Sequence, residues 1–207
     1  MEKRTFGLSE LRAAAVDNNP VISGYAAVFN ARSDMIWGEF REVIAPGAFA
    51  ESLQRDDIRA LWQHDTAQVL GRKSAGTLTL VEDDHGLQVE IHPPNTQTGR
   101  DAMELIRRGD VSEMSFGFSV PPQGDSWSED TDGTILRTVR KAKLFEVSPV
   151  TFPAYPQTEV NMRSHFGDKP VLPETVRGAT AVSVDNTAEN LRAQANQRKR
   201  EIEILSL

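Results

Sequence analysis

The chain has 207 residues, 39% hydrophobic and 26% charged, enough to bury a substantial core in one domain with an appendage. Its formal net charge of −7 argues against broad nonspecific nucleic-acid binding, and no apolar run approaches the roughly 20 residues that cross a bilayer. The absence of cysteine removes disulfides, thiolate nucleophiles and Cys-ligated zinc together.

The opening MEKRTFGLSELRAAAV lacks a secretory apolar region, which predicts a cytoplasmic product. Short β-rich runs over Arg4–Arg12, Val21–Phe29 and Ile36–Ile44, broken by Asn-, Ser-, Asp- and Gly-containing turns, read as strands. Pro46–Leu53 reads as a short helix opening on a proline, and Ile58–His64 as another strand. Thr77–Val81 and Leu87–Ile91 read as a hairpin around the turn Asp83-Asp84-His85-Gly86. A second helix is predicted over Gly99–Arg108, capped by Thr98 with Asp101 three residues on, and closed by Gly109. Met114–Val120 and a long run from Ile135 to Val147 complete the strands. The basic runs Arg137–Lys143 and Arg198–Arg200 read as solvated faces of a strand and a helix.

After His165 the composition changes. Gly167–Asn186 reads as a linker. A helix is predicted from Thr187, with Ala188, Leu191, Ala195, Ile202 and Leu205 on a stripe that wants a partner surface. The fold class is therefore mainly β with a few helices, with a domain over residues 1–165 and a linker and helical tail over 166–207. Barrel and sandwich both fit the pattern.

The stretch EMSFGFSV, Glu113–Val120, places Met114, Phe116, Phe118 and Val120 on one face of a strand and Ser115, Gly117 and Ser119 on the other. Ser115 is either the polar side of a half-buried strand or a nucleophile on a rigid platform. Of four histidines, His85 falls in a turn, His92 before two prolines and His165 at the edge of the linker. His64 ends a well-patterned strand, where the fold could fix its ring for general-base work. A lone histidine in such a place is more often structural. Metal-binding spacings, a complete phosphate-binding loop and the G-x-S-x-G elbow are all missing.

The string LWQHDTAQVLGR (Leu61–Arg72), followed in order by VSEMSFGFSV and KLFEVSPVTFPAYP, resembles the prohead, or capsid maturation, proteases of tailed bacteriophages with HK97-type capsids. The likeness covers roughly residues 5–162, with support from GYAAVF and IAPGAF upstream. That family is related to the herpesvirus assembly proteases, so the resemblance implies a β-barrel. It also implies a serine endopeptidase with His64 as general base, Ser115 as nucleophile and Glu146 as third member of a triad. Asp65 is the rival orienting group. By the same analogy the oxyanion hole is sought in Pro149–Pro156, and Gly117 would leave space for an acyl group.

The implied substrate is the scaffolding segment of the major capsid protein, together with the chain's own tail. The partners are then capsid and scaffold protein and a further copy of the chain, inside the assembling prohead in the host cytoplasm. No cofactor, metal, nucleic acid or membrane is implied. Two rival readings are a non-catalytic β-barrel assembly or scaffold module and a small-molecule esterase.

Overall fold

In the computed structural model, residues 1–5, 10–16, 19–152 and 173 are described. Contacts divide the chain into a unit over Met1–Pro170 and another over Val171–Leu207. The expected linker and terminal helix lie outside the described residues, apart from Pro173.

In chain order the strands are β1 (Glu2–Thr5), β2 (Arg12–Val16), β3 (Asn19–Val28) and β4 (Phe40–Ile44), followed by helix α1 (Ala50–Arg55). Next come β5 (Arg59–Trp62), β6 (Asp65–Arg72), β7 (Leu78–Glu82), β8 (Gly86–Ile91) and helix α2 (Gln97–Arg108). The last four are β9 (Glu113–Ser119), β10 (Asp125–Glu129), β11 (Ile135–Val139) and β12 (Lys143–Val150). The protein is mainly β with two α-helices among the described residues, and neither is long and apolar enough to cross a membrane.

The barrel implied by resemblance is not closed. Hydrogen bonding divides the described strands into three open sheets, ordered β1-β9-β12-β5-β6, β10-β11-β4 and β2-β3-β8-β7. One cause is a break in the run expected as a single strand over Ile135–Val147. Arg140 and Lys141 turn their N–H groups to the Gly124 carbonyl, and Ala142 donates to Ala48. The chain thus leaves β11, parallel to β4, and enters another sheet as β12. The expected strand Arg4–Arg12 likewise divides, since β1 pairs with β9 and β2 with β3.

Alternation along β9 decides what it buries. Met114, Phe116 and Phe118 enter the core, where Phe116 meets Phe49 edge-on at 5.5 Å and Phe118 at 5.1 Å. Each such ring contributes about 1.5–3 kcal/mol by leaving water. That apolar face anchors the central strand and fixes the position of its opposite, polar face. Helix α2 starts earlier than expected: Thr96, not Thr98, is its cap, accepting the Gly99 N–H at 3.3 Å. Gly109, in the left-handed region at φ 81°, closes it as expected.

Candidate active site

His64 does not lie in a strand. Strand β5 ends at Trp62, which pairs with Asp65, and Gln63 and His64 form the two-residue turn between. Their φ values are 56° and 61°, the left-handed pair that a tight hairpin with matching twist requires. Glycine or asparagine usually fills such positions, and other residues cost about 1–2 kcal/mol each there. The strain is held by bonds to β12 and the residue after it. Gln63 donates its N–H to the Pro149 carbonyl at 3.2 Å and its side-chain amide to Thr151 Oγ1 at 2.6 Å. Thr151 returns its N–H to Gln63 Oε1 at 3.1 Å. The His64 N–H donates to Ser148 Oγ at 3.2 Å. Backbone strain clamped in this way is a recurrent property of functional turns.

The turn aims the His64 ring at β12. Nδ1 lies 2.7 Å from Glu146 Oε1, and the second carboxylate oxygen accepts the Ser148 hydroxyl at 2.6 Å. Glu146 is only 4% exposed, so this carboxylate is held by an imidazole on one oxygen and an alcohol on the other. Ser148 is nearly silent in the sequence. Its one signal is the spacing E-x-S, which puts the hydroxyl on the same strand face as the carboxylate.

Gly117 pairs with Glu146 across β9 and β12. A Cβ on Gly117 would lie 2.5 Å from Glu146 Oε1 and 3.1 Å from the Met1 sulfur. The space expected there for an acyl group is therefore filled by the carboxylate and a thioether. Gly117→Ala is expected to displace the Glu146 carboxylate and unseat the His64 ring. A fall of at least tenfold in kcat with little change in KM, measured on the purified variant, would mark that displacement.

Asp65 turns its carboxylate elsewhere. It accepts from the Ala67 N–H at 2.9 Å and the Gln68 amide at 2.7 Å, bonds that lower its pKa, and it makes none to His64. Of the other histidines, His92 pairs with Glu90 at 3.0 Å and His85 meets the Tyr25 ring edge-on at 4.6 Å. His165 lies outside the described residues.

Ser115 sits at mid-sheet, with Thr5 of β1 and Ser148 of β12 as its Cα partners. It shares a strand face with Gly117, and therefore with Glu146 and Ser148. Ser115 is 2% exposed, and its hydroxyl donates to the Arg4 carbonyl at 2.8 Å. No hydrogen bond joins Ser115 to His64 among the described residues. The structure thus unites His64 with Glu146 directly and sets Ser115 on their face, with its proton committed to another strand.

A cleft of about 510 Å³ opens over the pair, lined in part by Met1, Leu61, Val69 and Phe145 beside His64 and Glu146. Its lining, apolar at Leu61, Val69 and Phe145 and charged at Asp56, Asp57, Arg59 and Lys143, lies beside a part-buried acid–base pair and suits the docking of a peptide side chain. Pro153–Pro156, half of the segment expected to supply oxyanion donors, lies outside the described residues. No group of three or more His, Asp or Glu that could hold a metal ion occurs among the described residues.

No curated protein matches the chain. Among solved structures it is similar to the bacteriophage T4 capsid assembly protease, gp21, at 10% sequence identity and a TM-score of 0.48, covering 70% of this chain and 95% of that one. The family model described as Caudovirus prohead serine protease matches residues 9–169, a span that includes the His64 turn, β9 and β12. The chain belongs to the Caudovirus prohead serine protease family, and so to the serine peptidases of capsid maturation.

Proposed function

We propose that the chain is an endopeptidase that removes the scaffolding segment of the phage major capsid protein, and trims itself, through a Ser115–His64–Glu146 triad. The observation that carries this reading is the 2.7 Å pairing of His64 Nδ1 with a buried carboxylate on the strand face that also bears Ser115. With Nδ1–H donated to Glu146, the free electron pair of the ring is on Nε2. When the Ser115 hydroxyl leaves Arg4 and turns to that nitrogen, His64 takes its proton as the oxygen attacks the scissile carbonyl carbon. The tetrahedral intermediate collapses by breaking the C–N bond, and His64 returns the proton to the leaving amine. Water, deprotonated by the same imidazole, then cleaves the acyl ester and regenerates the serine.

Ser148 acts in this scheme as a positioning residue. Its hydroxyl holds the Glu146 oxygen that His64 does not use, and accepts the His64 backbone N–H. A hydrogen bond to a charged group contributes about 1.5–3 kcal/mol. Ser148→Ala is therefore expected to lower kcat about 10- to 100-fold, leave KM nearly unchanged and retain the fold. Equal kcat values for variant and parent would remove Ser148 from the mechanism.

The proposed partners are capsid protein, its scaffolding segment and a second copy of the chain, with action inside the assembling prohead in the host cytoplasm. Kinship with the herpesvirus assembly proteases, the extent of the domain over 1–165 and a tethering role for 166–207 belong to the same proposal. The burial of Ser115 and its bond to Arg4 favour a second reading, a non-catalytic assembly module. A fluorophosphonate separates the two. Covalent mass added at Ser115, together with cleavage of a capsid-protein substrate, supports the peptidase. A folded chain that stays unlabelled even after residues 1–5 are removed, and leaves that substrate whole, is the module.

A further inference from the structure

The serine expected to react is covered by the chain's own segment. Strand β1 lies along β9 antiparallel, with Glu2, Lys3, Arg4 and Thr5 opposite Phe118, Gly117, Phe116 and Ser115. In that register the Arg4 carbonyl takes the Ser115 hydroxyl at 2.8 Å. Met1 continues the line into the cleft beside His64 and Glu146, its sulfur against the space above Gly117. The far side of β1 is locked by buried ion pairs. Arg4 donates to Glu42 at 2.6 Å and to Glu2 at 2.6 Å, and Glu2 also accepts from Arg137 at 2.6 Å.

We infer that the edge of β9 is the docking line of an extended peptide, added antiparallel as a further strand, and that Met1–Thr5 is the chain's own occupant of that line. The inference rests on the proposed role of Ser115 as nucleophile. A scissile peptide must bring a main-chain carbonyl to Ser115, and β1 demonstrates a register of β9 that does so. Main-chain hydrogen bonds supply affinity for such an added strand whatever its sequence, while a side chain in the cleft supplies preference. Met1, itself about half exposed, shows that the cleft admits an unbranched side chain, while Asp56, Asp57, Arg59 and Lys143 add charge to its lining. While β1 stays, Ser115 remains buried and its hydroxyl remains donated to the Arg4 carbonyl. Catalysis therefore requires the segment to leave, and the ion-pair lock sets how rarely it does.

The test is the rate of fluorophosphonate labelling at Ser115 in three forms of the chain: intact, Glu2→Gln, and lacking residues 1–5. Thermal melting checks that each is folded. Glu2 is the gentler target, because its side chain is 12% exposed and it holds Arg4 from the rim of the cluster. Labelling is expected to rise at least tenfold without the segment and severalfold in Glu2→Gln. Millimolar synthetic peptide MEKRT should return the shortened chain to the slow rate, replacing in trans a strand normally held at high effective concentration. A scrambled peptide should not.

Equal labelling in the intact and the folded shortened chain overturns the docking line and leaves the peptidase reading standing. So does a shortened chain that MEKRT fails to slow. If the shortened chain does not melt cooperatively, Glu2→Gln decides: faster amide exchange in β1 without faster labelling overturns the inference. No labelling at Ser115 in any folded form overturns the nucleophile itself, and the docking line with it.

Discussion

Ser115→Ala is expected, under the proposed mechanism, to reduce cleavage of the proposed substrate, the capsid-protein scaffolding segment, about a million-fold, down to what binding and background hydrolysis provide. At about 1.4 kcal/mol per factor of ten, that is roughly 8 kcal/mol of transition-state stabilisation. Its structural cost is far smaller. The variant loses one hydrogen bond to the Arg4 carbonyl, worth about 1 kcal/mol, so the melting temperature should fall only about 2–4 °C. The two magnitudes separate a chemical role from a packing role without further assumptions. Because the members of the proposed triad would act as a unit, His64→Ala added to Ser115→Ala should cost almost nothing more. Single-turnover assays with intact-mass detection measure both variants. Undiminished processing by Ser115→Ala would end the mechanism.

Glu42→Ala is expected to be the most destabilising single change in the cluster behind β1. Glu42 is fully buried and accepts from Arg4 at 2.6 and 3.2 Å and from Arg137 at 2.9 Å. Burial pulls the Arg137 pKa down, but Glu42, Glu2 and Asp125 outweigh it and hold the guanidinium above its ordinary range. Removing the central carboxylate leaves two buried cations sharing Glu2 and Asp125. Breaking a buried pair in this way costs about 3–5 kcal/mol, because the desolvation of the orphaned charge is no longer offset. For a chain of this size the melting temperature should drop by roughly 6–20 °C. Glu42→Gln, which keeps an acceptor but not the charge, should fall between parent and alanine. A melting temperature unchanged in Glu42→Ala would mean that the cluster does not anchor β1.

Much of the strand content was legible because alternation is a local property. The core face of β9 and the hairpin around Asp83–Gly86 follow from residues within reach of one another along the chain. Strand β6 is hard to read from sequence because its hairpin turn is Gln63-His64, with no glycine, asparagine or aspartate to announce it. Bonds to Ser148, Pro149 and Thr151, more than 80 residues away, permit that turn. The burial of Arg137 within its basic run is invisible in sequence for the same reason. A guanidinium that pairs with Glu2, 135 residues distant, looks like a solvated charge until the fold joins them. Ser148 and the covering of Ser115 by β1 are likewise contacts between segments, and no periodicity records them.

By itself the sequence determined the mainly β class, the polar and apolar faces of β9, and the ordered motifs that resemble the prohead proteases. Each is written in neighbouring residues, because side-chain direction along a strand is set by the backbone alone. Only the tertiary structure decided that the sheets stay open, that His64 leaves its strand to meet Glu146, and that the Ser115 proton is held by Arg4. Those outcomes depend on which distant hydrogen-bond donors and charges find each other on burial, where an unpaired polar group costs more than the strain of a left-handed turn.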